Sequence, residues 1–189
     1  MTNNIFQTRE RALEYEFFHK VDAELWQKLR ESLEFSKKRN AIADATGITN
    51  ETVIRELIEL DIDNETLFAL SLFPLVWVAW SDGYLDVRQR LAILDAAHAT
   101  GHERDTASHH LINAWLDHEP DEKLQLLWKE YIRAICRTLS REGRESLRDD
   151  VLGRARQIAD SVSTSYFHQA EQAQMAVLAE IEEAFGVQA

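Results

Sequence analysis

The 189-residue chain contains a single cysteine, two prolines and six glycines, and each shortage excludes something. A lone Cys136 can close no disulfide within the chain and belongs to no paired-Cys redox or metal motif. Placed among Tyr131, Ile132, Ile135 and Leu139 on an expected helix, it reads as a packing thiol rather than a nucleophile. With so little Pro and Gly there are few helix breakers, while Ala, Leu, Glu and Arg recur at helical spacings, which predicts an all-α, multi-helix bundle. Positive charge is also short: 21 Lys and Arg against 33 Asp and Glu leave a formal charge of -12. The deficit is spread along the chain, with 9 basic and 12 acidic residues in 1–62 and 12 against 21 in 63–189. A chain of this sign repels phosphate backbones and anionic lipid, so no nucleic-acid partner is expected. No apolar run reaches the ~20 residues of a membrane span, and the first residues lack the apolar core of an export signal, so no transmembrane segment and a cytoplasmic location are expected. GxSxG, a glycine-rich phosphate loop and a Cys pair are all missing. The expectation is a protein without enzymatic activity and with no cofactor.

The N-terminal region, 1–62, reads as a long helix followed by a small helical hairpin. Over 8–38 the residues Leu13, Phe17, Val21, Leu25, Leu29 and Leu33 recur every four positions. Four residues overshoot the 3.6-residue turn, so the stripe advances by about 40° per step and winds around the helix. With Phe17, Phe18 and Trp26 it exceeds what the region can bury alone, which predicts a docking or dimerisation arm: a protein partner or a homodimer. The hairpin follows in RNAIADATGITNETVIRELIELDI, with a short helix, a turn at Thr46-Gly47, and a second helix capped by Thr49 or Asn50. Ala43, Gly47 and Val53 match the small, turn and apolar positions of a DNA-binding helix-turn-helix. Its reading helix would carry Glu51, Glu56 and Glu59 with Arg55 as the one base, which argues against DNA.

The second region, 63–189, reads as the helical bundle. TLFALSLFPLVWVAW (66–80) is apolar or aromatic except at Thr66, Ser71 and Pro74 and predicts a central buried helix that Pro74 kinks or divides. Amphipathic segments follow at about 86–100, 105–117, 121–140, 144–162 and 169–185. Leu124, Leu127, Trp128, Tyr131, Ile135 and Leu139 share one face of the third of these. Pro120 fits a helix start, and Gly143 is expected to separate two helices.

Two clusters could carry chemistry. At SDGYLD, Asp82 and Asp86, with Asp95 farther on, offer hard oxygen ligands for calcium or magnesium, although the ladder of a calcium loop is incomplete and Arg88 and Arg90 lie alongside. The competing reading makes Asp82 a helix end, Gly83 a permissive turn residue and Asp86 the cap of the next helix. Five of the seven histidines fall within 98–118. His98, His102 and His109, with Glu103, Asp105 or Asp117, could hold zinc or nickel; otherwise they are exposed polar residues near helix ends.

PLVWVAWSDGYLDVRQRLAILDAAHATG (74–101) resembles the TerB-like, tellurite-resistance-type helical domains. These carry an apolar helix ending in Ala-Asp-Gly, a short turn and a helix that begins near an acidic residue. Asp82 and Gly83 match, Ser81 replaces the Ala, and Asp86 takes the second acidic position. Gln89 stands where the family usually has a Glu, which removes one carboxylate from any cation site. The resemblance implies a helical bundle acting as a non-enzymatic module in stress response, membrane-associated complexes or metal-ion handling.

Overall fold

The computed structural model describes residues 3–99, 106–161 and 168–186, with side chains described over 24–99, 106–161 and 170–186. Among the described residues there are eight helices and no strand: α1 (Asn3–Thr46), α2 (Glu51–Glu59), α3 (Leu67–Ala79), α4 (Val87–Ala99), α5 (Ala107–Asp117), α6 (Glu122–Thr138), α7 (Arg141–Asp160) and α8 (His168–Ala184). The protein is an all-α, multi-helix bundle. No described helix is long and apolar enough to cross a membrane.

The chain forms two compact units, Met1–Asn40 and Ala41–Ala189. In the first, the described face of α1 leaves Leu25 59%, Trp26 62%, Leu29 49% and Leu33 53% exposed. Polar pairs at helical spacing line the same stretch: Gln27 donates to Glu31 at 2.9 Å, and Lys37 pairs with Glu34 at 2.7 Å. Such exposed pairs are screened by solvent and add little to a helix. The Phe17 and Phe18 side chains lie outside the described residues.

In the second unit α3 is apolar on every side, as a helix surrounded by others must be. Ten of its residues are buried, and it packs against α4, α5, α6, α7 and α8. Pro74 neither ends nor divides it. The ring removes one backbone donor, but the helices packed around Leu72–Ala79 hold the residues on either side of it in one helix. A chain of aromatic contacts runs outward from α3. Phe73 meets Trp115 of α5 edge-on at 5.6 Å, Trp77 meets Trp128 of α6 at 6.3 Å, and Trp128 meets Phe185 at 6.2 Å. Edge-to-face pairs of this kind contribute about 0.5–1.5 kcal/mol beyond the area they bury.

The hairpin belongs to this core. Ile42, Ile48, Val53, Ile54 and Leu57 are buried in it, and α2 packs on α6. The short helix expected at its start is the last turn of α1, which is continuous to Thr46. Gly47 then adopts φ +70, a conformation open to glycine at no steric cost, and its amide closes on the Ala43 carbonyl at 2.8 Å. Asn50 caps α2 by accepting from the Thr52 and Val53 amides.

The break between α6 and α7 falls at Leu139-Ser140, not at Gly143. Ser140 is the cap, its Oγ accepting from the Gly143 amide at 3.1 Å. Gly143 therefore lies inside the first turn of α7, where its N–H has no partner within the helix.

Candidate functional site

The Asp-Gly corner joins α3 to α4. The Trp80 carbonyl accepts from the Gly83 amide at 2.8 Å, with Gly83 at φ +79. Asp82 Oδ1 accepts from the Tyr84 amide at 3.1 Å, a side-chain turn typical of Asp. Asp86 caps α4: its Oδ1 accepts from the Arg88 amide at 2.7 Å, and its own amide donates to Gln89 Oε1 at 3.2 Å. This is a close variant of the capping box: the cap oxygen takes the second helical amide, and the third helical residue reaches back to the cap. Gln89 is only 2% exposed, so its amide oxygen serves the backbone from inside the fold.

Each aspartate thus spends an oxygen on a backbone N–H. Tyr84, Val87 and Leu91 are exposed on the surface beside them, and Asp95 is exposed farther along α4.

The corner is fastened to the end of α5 by residues that the acidic motif does not include. Trp80 Nε1 donates to the Trp115 carbonyl at 2.9 Å, and Arg90 Nη1 donates to the Leu116 carbonyl at 2.9 Å. Arg90 Nη2 also pairs with Asp117 Oδ1 at 2.7 Å. The last carbonyls of a helix lack partners within it, and a cation there also meets the negative end of the helix dipole. A cleft of about 130 Å³ opens beside the corner, lined by Phe73, Trp77, Trp80, Ser81, Glu119 and Pro120 among others. The Ser81 Oγ is buried without a hydrogen-bond partner.

Of the clustered histidines, the structure brings two together. His98, near the end of α4, and His109, in the first turns of α5, stack with ring centroids 5.7 Å apart and planes 20° apart. Asn113 holds His109 from the same helix: its Nδ2 donates to the His109 carbonyl at 2.9 Å and lies 3.0 Å from Nδ1. The tautomer with its proton on Nε2 satisfies that contact. His98 Nε2 is buried with no hydrogen-bond partner. His110 lies edge-on to His109 at 6.5 Å, and His118 is the C-cap of α5. His102, Glu103 and Asp105 lie outside the described residues. Among the described residues no group of three or more His, Cys, Asp or Glu could hold a metal ion.

Cys136 is buried and unpaired, and burial pushes its thiol pKa up, with Arg144 acting weakly in the opposite sense. A thiol so placed is a poor nucleophile. The exposed face of α2 carries Glu51, Arg55, Glu56 and Glu59, three acids to one base where a DNA-reading helix would meet phosphates.

The molecule belongs to the class of all-helical bundles, and its first helix carries an exposed apolar row. Comparison of the chain with protein-family models, curated proteins and solved structures returns no match.

Proposed function

We propose that this protein is a non-enzymatic, TerB-like helical module that works through protein contacts, with the N-terminal helix as its docking arm. One observation carries the reading: Leu25, Trp26, Leu29 and Leu33 stand about half exposed or more on consecutive turns of one helix. Apolar side chains grouped in this way, rather than scattered singly, mark interaction surfaces. The TerB-like part of the proposal is supported by Asp82, Gly83 and Asp86 in sequence, and a cytoplasmic setting suits a chain with one buried thiol.

The experiment compares the full chain with the Leu25→Ser/Leu29→Ser variant, in hydrodynamic mass and in quantitative affinity capture from cell extract. The variant is expected to lose association that the parent shows. Identical behaviour in both measurements sinks the docking reading.

A second reading, a cation-binding module, draws on the stacked His98–His109 pair, in which the Nε2 of His98 is buried with no hydrogen-bond partner. Zinc or nickel titrated into the full chain should then give heat that His98→Ala abolishes. No heat with either ion removes this reading.

A further inference from the structure

We infer that the cleft beside the Asp-Gly corner is a binding site for a small organic ammonium ion, of the size of a trimethylammonium group. The inference goes beyond the docking reading and rests on other residues, so either can fail without the other.

Size narrows the choice first. The cleft holds about 130 Å³. A site for a drug-sized molecule takes roughly 300–1,000 Å³, whereas an apolar cavity of ~150 Å³ accommodates a benzene ring. A single head group fits where a nucleotide does not.

The walls then select the chemistry. Three of the eight lining residues are aromatic: Phe73 and Trp77 are buried and Trp80 is half-buried. Trp80 is fixed in place by the bond from its Nε1 to the Trp115 carbonyl, so its ring needs no ordering when a ligand arrives. Glu119 is the one charged side chain in the lining, Gln125 and Ser81 contribute neutral polar groups, and the two remaining residues are apolar. The Ser81 Oγ is the buried hydroxyl without a hydrogen-bond partner.

An anion would meet a carboxylate there and no basic side chain. A divalent metal needs several oxygen ligands together, and a single carboxylate does not supply them. A neutral apolar molecule would gain nothing from Glu119. A methylated ammonium ion suits every wall: its charge is attracted to the faces of the indole rings and to the carboxylate, and its methyl groups require no acceptors. The fold contains one instance of the same attraction. Lys129, which does not line the cleft, holds its ammonium 5.2 Å from the centroid of the Trp77 ring and pairs with Glu180 at 2.6 Å. The surrounding field has the right sign, since residues 41–189 carry 13 basic against 26 acidic side chains and draw cations toward the surface.

Choline and its uncharged isostere, in which a tert-butyl group replaces the trimethylammonium, share a shape and differ in charge. Calorimetric titration of the full chain with each separates the two contributions. Choline is expected to bind with a dissociation constant on the order of a millimolar, about tenfold tighter than the isostere. Glu119→Gln, at an exposed position, should weaken choline about threefold. Gln125→Glu, which adds a carboxylate to the same lining, should tighten it by about the same factor. Neither variant should alter binding of the isostere, and Leu25→Ser/Leu29→Ser should bind choline as the parent does. Absence of heat with choline well above a millimolar overturns the site. Equal affinities for choline and the isostere, or a Glu119→Gln variant that binds choline like the parent, overturn its choice of a cation.

Discussion

Asp86 is the residue at which structure and chemistry give opposite predictions. As a cap it needs only an acceptor for the Arg88 amide, and Asn serves at this position as well as Asp. Asp86→Asn should therefore leave thermal stability nearly unchanged, whereas Asp86→Ala should lose about 1 kcal/mol in a denaturant titration. A cation ligand would instead be lost in both. Gly83→Ala should also destabilise, by about 1 kcal/mol, because the strain is in the backbone at φ +79 while nothing lies within 4 Å of an added Cβ. Tyr131 gives a pH signature. Burial raises its phenol from 10.0 to about 12, so between those values the unfolded chain has released a proton that the folded one keeps. Stability contributed by this group is full below pH 10 and declines up to about 12, by roughly 2–3 kcal/mol at one pKa unit per 1.36 kcal/mol. Urea melts of the parent and Tyr131→Phe across that range should show the variant free of this part of the slope.

Helices are where sequence periodicity is most informative, and the amphipathic segments of the bundle were legible because one polar face alternates with one apolar face at the helical period. Boundaries set by side-chain hydrogen bonds were less so. Ser140 and Gly143 lie three apart, and glycine is the stronger sequence signal for a break, yet the hydroxyl of Ser140 determines where α7 starts. Pro74 likewise suggested a division that burial of α3 by five neighbouring helices overrides. At the corner, the aspartates and Gly83 were visible as turn residues, and the Asp86–Gln89 reciprocity follows a known cap pattern. The clamp from Trp80 and Arg90 to the end of α5 was not, because it joins residues 26 and 35 positions apart and no local pattern encodes that. Arg90→Ala should cost about 1–2 kcal/mol through the last carbonyls of α5 and the Asp117 pair. Hydrogen exchange should then show faster opening confined to that helix end and the corner.

The whole molecule divides by charge as well as by contacts. Residues 1–40 carry 8 basic and 7 acidic side chains, whereas 41–189 carry 13 and 26. The core begins at Ile42 and includes the hairpin, so a fragment spanning 41–189 is expected to melt cooperatively by circular dichroism, close to the full chain. The hairpin's membership of that core was hidden in the sequence because its apolar residues, Ile42, Ile48, Val53, Ile54 and Leu57, look the same whether they meet α1 or α6. Only the long-range pairing distinguishes the two.

The placement of the five tryptophans gives the protein an internal pair of optical reporters. Trp26 stands largely in solvent, while Trp77, Trp115 and Trp128 are buried in the aromatic chain around α3. Its indole emission is therefore a sum of a red-shifted component that acrylamide quenches readily and a blue-shifted component that it reaches slowly. Trp80 is half-buried at the corner, so Trp26→Phe removes the most exposed contributor to the first and leaves the second. Anything that covers the arm will register as a loss of quenching at the red edge alone, while unfolding of the bundle shifts the blue edge, so occupancy and integrity can be followed in one cuvette without a label.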